Sequence, residues 1–316
     1  MGEMDLGDIH GRRQIGRAVT GMAAALLPFT DSGEIAEDAY AACLQETVRA
    51  GLTPAVNMDT GYVNLLTDGE KARVLGLARA ALGGAPFVAG AYIEGQEGEV
   101  SDLYRREIGR IADYGGTPIL FQTARLHGLP ASEVVAAYER AVSDVPEAYG
   151  FELGRMFAPN GEIWTAEVAQ GIMSIPRIKG IKHSSLDRVI EIERLALRDR
   201  IRPGFKIFTG NDLGIDMIEY GSDYLLGLAA FTPAKFAERD RLWQERDTAY
   251  LGVADALQLL GNVAFRPPVP AYKHSAAIFL HLLGKIPTNR THPRSPARPP
   301  WEREILTACA QRLGLL

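Results

Sequence analysis

The stretch Pro176-Arg177-Ile178-Lys179-Gly180-Ile181-Lys182-His183-Ser184-Ser185 contains the clearest short apolar strand of the chain, and the strand closes on Lys182. Seven more short apolar runs, bounded by Gly, Pro or Asn, are typical of buried strands. They begin near Ala24, Pro54, Pro86, Pro118, Tyr149, Phe205 and Tyr224. With Ile178 included, successive starts lie 27 to 32 residues apart until a last step of 19. This is about the length of one strand-and-helix unit.

Eight such units predict an α/β protein, a (β/α)8 TIM barrel over residues 21–245. Between the runs, apolar residues at three- and four-residue spacing predict helices, and Thr67 with Glu70 has the spacing of a capping box at a helix start. Residues 1–20 are expected to form an N-terminal segment. Residues 246–316 are expected to form a C-terminal helical extension packed on the barrel, with a separate small domain as the alternative.

Composition excludes several classes of function. The 316 residues are 47% hydrophobic and 23% charged, which is typical of a folded globular chain. A net charge of -5 gives no general attraction to nucleic acid or to a membrane, so neither partner is expected. Two cysteines, Cys43 and Cys309, fit a reducing compartment and predict a cytoplasmic location. The apolar run Ala18–Phe29 follows three arginines and imitates a signal peptide, but it serves better as the first buried strand.

Lys182 is the first candidate for chemistry, because the active site of such a barrel lies at the C-terminal ends of its strands. Desolvation and nearby positive charge favour a neutral amine, which attacks a ketone as a Schiff-base nucleophile. The alternative is an ordinary solvated lysine. Lys179 is the weaker candidate, and His183 fits a structural role. The histidines are scattered without metal-ligand spacing, so no metal site is expected.

Polar residues and glycines close three other strands. The second strand ends in Asn57-Met58-Asp59-Thr60-Gly61-Tyr62, which could donate hydrogen bonds to a carboxylate or phosphate, or could form a capped turn. Gly210 and Gly227, on the seventh and eighth strands, allow a close backbone approach, although strand-end glycines are also common for steric reasons.

These motifs, in this order, resemble those of the dihydrodipicolinate synthase / N-acetylneuraminate lyase family. Gly180–Ser185 is similar to the family's Gly-Ile-Lys-Asp-Ser-Ser around its Schiff-base lysine, and Thr209–Asp212 is similar to its Ser-Gly-Asp-Asp. The likeness begins with Leu27–Glu34 and continues through Pro268–Lys273, covering about residues 20–316.

The resemblance implies a class I aldolase or dehydratase in which Lys182 forms an imine with pyruvate or another 2-oxo acid. It also implies that Thr60 and Gly61 bind the carboxylate of that acid, through a hydroxyl and a backbone N–H, and that Gly210 and Leu225 line the imine pocket. No cofactor is expected. Family members are commonly tetramers, which predicts a homo-oligomer, either a dimer or a tetramer.

Several positions depart from the family pattern. The first threonine of its Gly-Thr-Thr-Gly-Glu loop is Asp59 here, which would repel a substrate carboxylate unless it is protonated, turned away, or faces a cationic or hydroxyl-rich group. The proton-transferring tyrosine of strand five is absent and Gly150 stands in its place. Strand alternation then predicts that Glu152 enters the barrel mouth as a substitute acid/base, unless it pairs with Arg155 or solvent. Gln122 lies in the segment that replaces the family's Pro-Tyr-Tyr and is a candidate substrate-binding residue.

The favoured hypothesis is therefore a Schiff-base lyase that acts through Lys182 but does not catalyse the synthase's own reaction. A second hypothesis comes from another class of function. It is a barrel that has kept the fold and the lysine, has lost the proton relay, and binds a small carboxylic acid as a sensor or inactive subunit.

Overall fold

A computed structural model describes residues 6–316, and in it eight parallel strands form a closed barrel in chain order. The strands are β1 Gly21–Ala24, β2 Thr53–Val56, β3 Val88–Ala91, β4 Thr117–Leu120, β5 Ala148–Leu153, β6 Ile178–Ser184, β7 Lys206–Thr209 and β8 Asp223–Leu226. The (β/α)8 fold predicted from the strand period is confirmed. Of the predicted N-terminal segment, residues 1–5 lie outside the described part of the chain.

Helices alternate with the strands and continue beyond them. They are α1 Leu6–Gly11, α2 Glu37–Arg49, α3 Asp68–Leu82, α4 Val100–Asp113, α5 Ala131–Ala141, α6 Ala166–Ser174, α7 Arg188–Ile201, α8 Pro233–Glu245, α9 Tyr250–Ala264, α10 Tyr272–Leu282 and α11 Glu302–Arg312. The capping box predicted at α3 is present, with Thr67 and Glu70 each bonding the backbone of the other. Across residues 6–316, the helices are too short or too polar to cross a membrane.

One connection and one strand start differ from the regular pattern. A six-residue 3-10 turn, Ile215–Tyr220, takes the place of a helix between β7 and β8, where the last step of the sequence period is short. Strand β1 begins at Gly21, three residues before the predicted run. Gly21 pairs in register with Tyr224 on β8, and a Cβ at Gly21 would lie 2.1 Å from the hydroxyl of that tyrosine, so the position requires a glycine. Apolar patterning does not report such a contact.

The buried apolar residues form two layers, one between strands and helices and one inside the barrel. The inner layer decides which side chains can reach the barrel mouth. On β5 it contains Phe151 and Leu153, and on and just after β4 it contains Ile119 and Phe121. Because side chains alternate along a strand, the residues between them face the helices.

The last three helices pack against one another, and α9 also packs against α8. A buried ionic cluster fixes them, in which Arg298 donates to the carbonyl of Ala264 at 2.7 Å and lies against the buried Glu302. This packing places the first residues of α10, Tyr272 and Lys273, beside the turn that follows β2.

Candidate active site

Lys182 lies inside the barrel near the C-terminal end of β6, as the sequence predicts. Its side chain is buried, and Nζ sits 4.4 Å from the ring centroid of Phe151. Burial lowers the pKa of Lys182 below its ordinary value, and the carboxylates of Asp212 and Asp59 only partly oppose that shift. Within the described residues no carboxylate forms an ion pair with Nζ. Lys182 therefore loses its proton more readily than a surface lysine does, which gives the neutral amine that a nucleophile requires.

Two glycines let neighbouring side chains approach the backbone closely at the barrel mouth. A Cβ at Gly210 would lie 2.7 Å from Cε of Lys182 and 2.0 Å from Oγ of Ser184. A Cβ at Gly227 would lie 3.0 Å from the ring of Tyr272 and 3.3 Å from Oγ1 of Thr60. Gly210 thus borders Lys182, as predicted for the imine pocket, while Gly227 borders the polar groups across the mouth. Leu225, also predicted for that pocket, belongs to the inner apolar layer.

Asp59 faces a cationic and hydroxyl-rich group, which is one of the three arrangements predicted to remove its repulsion of a substrate carboxylate. Both of its oxygens lie 2.9–3.0 Å from Nζ of Lys273, and Oδ2 also accepts a hydrogen bond from the hydroxyl of Tyr272 at 2.9 Å. The same hydroxyl lies 2.8 Å from Oγ1 of Thr60. Pro268–Lys273 resembles a family motif, but nothing in the sequence predicted that Tyr272 and Lys273 reach the site.

Gly61 does not offer the free N–H that the resemblance implies. Its N–H donates to the carbonyl of Met58 at 3.0 Å, closing the 3-10 turn Asp59–Gly61. A Cβ at this position would lie 3.3 Å from the carbonyl of Ala25, so the glycine lets the turn pack closely on β1. Of the predicted pair, the Thr60 hydroxyl is the group left to meet a ligand.

Asp212 is a second carboxylate at the mouth, and the sequence alone predicted no separate role for it. It is buried, and Oδ1 accepts the backbone N–H of Leu228 at 2.8 Å. Burial raises the pKa of Asp212 above its ordinary value, against the opposing effects of backbone donors and of Lys182.

The predicted orientation of Glu152 is wrong. Its Oε1 accepts from the N–H of Trp164 at 2.8 Å and from Arg194 at 2.7 Å, and its Oε2 lies 2.6 Å from Nδ1 of His183. Phe151 is the inward residue, so counting Gly150 as inward shifted the alternation by one position. Burial raises the pKa of Glu152, but His183 and Arg194 outweigh it and hold that pKa at about 2. At neutral pH Glu152 is a charged carboxylate that binds His183, Arg194 and a backbone N–H on the helix side of the barrel.

Gln122 is also on the outer side, for the same reason. Its Oε1 accepts the N–H of Leu153 at 2.9 Å and the N–H of Glu162 at 3.2 Å, and its Nε2 donates to the carbonyl of Glu162 at 2.6 Å. The amide therefore holds the segment that follows β5, with both acceptor positions of Oε1 and one N–H of Nε2 in use. Gln122 does not lie in the inner layer beside Lys182, and its part in substrate binding stays a prediction.

Comparison with known proteins gives one family and a common fold. A family model described as "Protein of unknown function (DUF993)" matches residues 45–291, and no curated protein matches the sequence. The structure of YagE from E. coli K12, a prophage protein of the dihydrodipicolinic acid synthase family in complex with pyruvate, is similar at a TM-score of 0.81 and 16% identity, covering 94% of this chain and 99% of that one.

Two dihydrodipicolinate synthases are similar to the same degree. The enzyme from Thermotoga maritima has a TM-score of 0.79 at 17% identity, with 95% of this chain and 100% of that one covered. The enzyme from Acinetobacter baumannii, complexed with pyruvate, has a TM-score of 0.77 at 16% identity, with the same coverage. At such identities the likeness shows the fold, and it confirms at that level the resemblance stated from the sequence motifs.

Proposed function

The chain belongs to the DUF993 family of proteins of unknown function, and from its barrel and its buried lysine we propose that it is a Schiff-base-forming lyase, an aldolase or dehydratase, that acts on pyruvate or another 2-oxo acid through Lys182. The observation that carries the proposal is the position of Lys182, a buried strand-end amine without an ion-pair partner among the described residues.

The reaction begins when the lone pair of Lys182 Nζ attacks the ketone carbon of the substrate. The carbonyl oxygen leaves as water with the two amine protons, and the nitrogen takes up one proton from solvent to become a protonated imine. That imine accepts the electron pair of a neighbouring carbon–carbon or carbon–hydrogen bond, and an enamine forms as that bond breaks. Lys182 supplies the electron sink, so this step needs no other group to hold the electrons.

A 2-oxo acid is supported by the fold shared with two proteins whose structures contain pyruvate. In this chain the substrate carboxylate would meet the Thr60 hydroxyl. Asp59 does not add an uncompensated negative charge there, because it is paired with the buried ammonium of Lys273. The homo-oligomer, dimer or tetramer, and the cytoplasmic location remain predictions from the sequence.

Borohydride trapping tests the proposal. Incubation with pyruvate or other 2-oxo acids and borohydride is expected to add the mass of the reduced acid to the wild-type protein and to add nothing to Lys182→Arg. Lys179→Arg is the matched control, since Lys179 lies on the same strand with its Nζ donating to the carbonyl of Pro176 at 2.9 Å, and it is expected to trap like the wild type. Wild-type protein that binds these acids without trapping any of them would favour the sensor or inactive subunit.

A further inference from the structure

Glu191 is a buried carboxylate on α7 that packs against β7 and against the residue before β8. Its Oε2 accepts the hydroxyl proton of Thr209 at 2.9 Å, and its Oε1 accepts that of Ser222 at 2.6 Å. Within the described residues it forms no ion pair, unlike Glu152 with its arginine and histidine. Two neutral hydroxyls are therefore the side-chain donors that hold this charge.

Thr209 connects this carboxylate to residues 210–212, which border Lys182. Its Oγ1 accepts the backbone N–H of Asn211 at 3.2 Å while its proton goes to Glu191. Gly210 packs so closely on Lys182 that an added Cβ would lie 2.7 Å from Cε, and the carboxylate of Asp212 acts on the charge of that lysine. The Thr209 hydroxyl thus ties the segment beside Lys182 to a carboxylate on the outer face of β7.

The protons of this cluster match an ionised Glu191. Each hydroxyl has one proton and gives it to the carboxylate, and Thr209 keeps a lone pair for Asn211. A protonated Glu191 must donate to one of the two hydroxyls, whose own proton then loses its acceptor. The bond from the other hydroxyl becomes weaker, because its acceptor is no longer charged. Whichever oxygen takes the proton, the bond from Thr209 is weakened or lost.

Glu191 changes its charge close to neutral pH. Burial raises the pKa of Glu191 to about 7, against the opposing effects of His183 on β6 and of the two hydroxyls. Asp216, on the turn before β8, raises that pKa further. Three arginines of α7 are engaged with other partners, Arg188 with Asp216, Arg194 with Glu152 and Arg198 with the carbonyl of Gly221.

We propose that Glu191 is a positioning residue of the lyase, which in its ionised form holds Thr209 and, through Thr209, the segment that borders Lys182. The proposal rests on the proposed function. When Glu191 is ionised, the segment is fixed and Lys182 is placed to attack the ketone. When Glu191 is protonated, Thr209 is held less firmly, and imine formation slows by more than the protonation of Lys182 itself explains.

The first test removes the hydroxyl of Thr209 and measures the rate at which cyanoborohydride traps pyruvate on Lys182 of the full-length protein. At about pH 9, where Glu191 is ionised, Thr209→Val is expected to slow trapping by about tenfold, less than the roughly 10²-fold cost of displacing a reacting group by about 1 Å. Thr209→Ser keeps the hydroxyl and is expected to restore the wild-type rate.

Thr47→Val is the matched control for Thr209→Val. Thr47 is also a buried threonine, but its hydroxyl donates to the carbonyl of Cys43 within α2, at 3.0 Å. This variant is expected to trap pyruvate at the wild-type rate. Thermal unfolding of each variant establishes that it is folded.

Glu191→Gln tests the charge itself. The amide presents one oxygen and one NH₂ to the two hydroxyls, much as a protonated acid presents one oxygen and one O–H. The variant is expected to trap pyruvate about tenfold more slowly than the wild type at about pH 9, again less than the cost of a full displacement. It is expected to converge with the wild type below about pH 6, where the wild-type Glu191 is itself protonated. A loss caused by altered packing alone would give the same ratio at every pH.

The outcomes separate the positioning role from the proposed function. Wild-type protein that traps pyruvate, together with Thr209→Val and Glu191→Gln variants that trap it equally fast at about pH 9, would overturn the positioning role and leave the lyase intact. A Glu191→Gln deficit that does not change with pH would also overturn it. A wild-type protein that traps no 2-oxo acid would overturn the proposed function and the positioning role with it.

Discussion

The two faces of strands β5 and β6 both carry buried charge, but they hold it in different ways. On the outer face, Glu152 is bonded to His183, to Arg194 and to a backbone N–H. On the inner face, the amine of Lys182 lies over the ring of Phe151 and, in the described part of the chain, has no ion-pair partner.

The difference shows how one pair of strands separates structure from chemistry. A buried carboxylate surrounded by donors is held in its charged form and has no free lone pair for a substrate. A buried amine without a paired anion loses its proton more readily and can react. Burial alone identifies neither role, and the partners of each charge decide it.

The largest expected effect comes from removing the charge of Glu152 on the outer face of β5. Glu152→Gln leaves the buried Arg194 without its carboxylate and is expected to reduce the free energy of unfolding by about 3–5 kcal/mol, measured by chemical denaturation at neutral pH. The pKa of Glu152 is depressed to about 2, so its contribution is present above the pKa of the unfolded chain and is lost as the pH falls through about 2. Wild type and variant are therefore expected to converge in stability in acid.

The chemistry should survive that substitution. Folded Glu152→Gln is expected to trap 2-oxo acids on Lys182 as the wild type does, because the carboxylate faces the helices. If Glu152→Gln kept the wild-type stability but no longer formed the 2-oxo acid adduct on Lys182, Glu152 would act in the barrel mouth after all.

A smaller effect is expected from adding a methyl group at Gly210, next to Lys182. In Gly210→Ala the added methyl would meet Cε of Lys182 and Oγ of Ser184, so the lysine must move. Imine formation is expected to slow by about 10²-fold, the cost of displacing a reacting group by about 1 Å. Gly252→Ala is the control, because a Cβ there meets no atom within 4 Å. Equal trapping rates for both variants would show that Gly210 does not position the amine.

The smallest effect concerns the pH at which the amine becomes neutral. Because the pKa of Lys182 is lowered, the rate of imine formation is expected to rise with pH and to level off below the value of about 10.4 typical of a free lysine. Asp212 raises the pKa of this amine, so Asp212→Asn should move the levelling point to lower pH. The exposed Asp255 serves as a control in Asp255→Asn. A rate that still rises at pH 10 would mean that Lys182 titrates like a surface lysine.

The fold was predictable because it depends on a repeated local pattern. Strands and helices alternate with a nearly constant period, and a closed parallel barrel is the arrangement that buries eight such units. The start of β1 was not predictable, since Gly21 has no apolar side chain and joins the strand through backbone pairing with Tyr224 on β8.

The site was predictable only in part. Lys182 lies near the end of a strand and Thr60 follows one, and both strand ends can be read from the apolar runs. Glu152 was placed wrongly because a shift of one residue exchanges the two faces of a strand. Tyr272 and Lys273 reach the site through the packing of α10, and hydrophobic patterning does not specify which strand end a later helix will meet.

The most direct measurement is peptide mapping of the wild-type protein after borohydride reduction with a 2-oxo acid. The barrel mouth contains two buried lysines, Lys182 without an ion-pair partner in the described chain and Lys273 paired with Asp59. We expect the adduct on the peptide that carries Lys182 and none on the peptide that carries Lys273. An adduct on Lys273, or no adduct on either peptide, would contradict the assignment of Lys182 as the nucleophile.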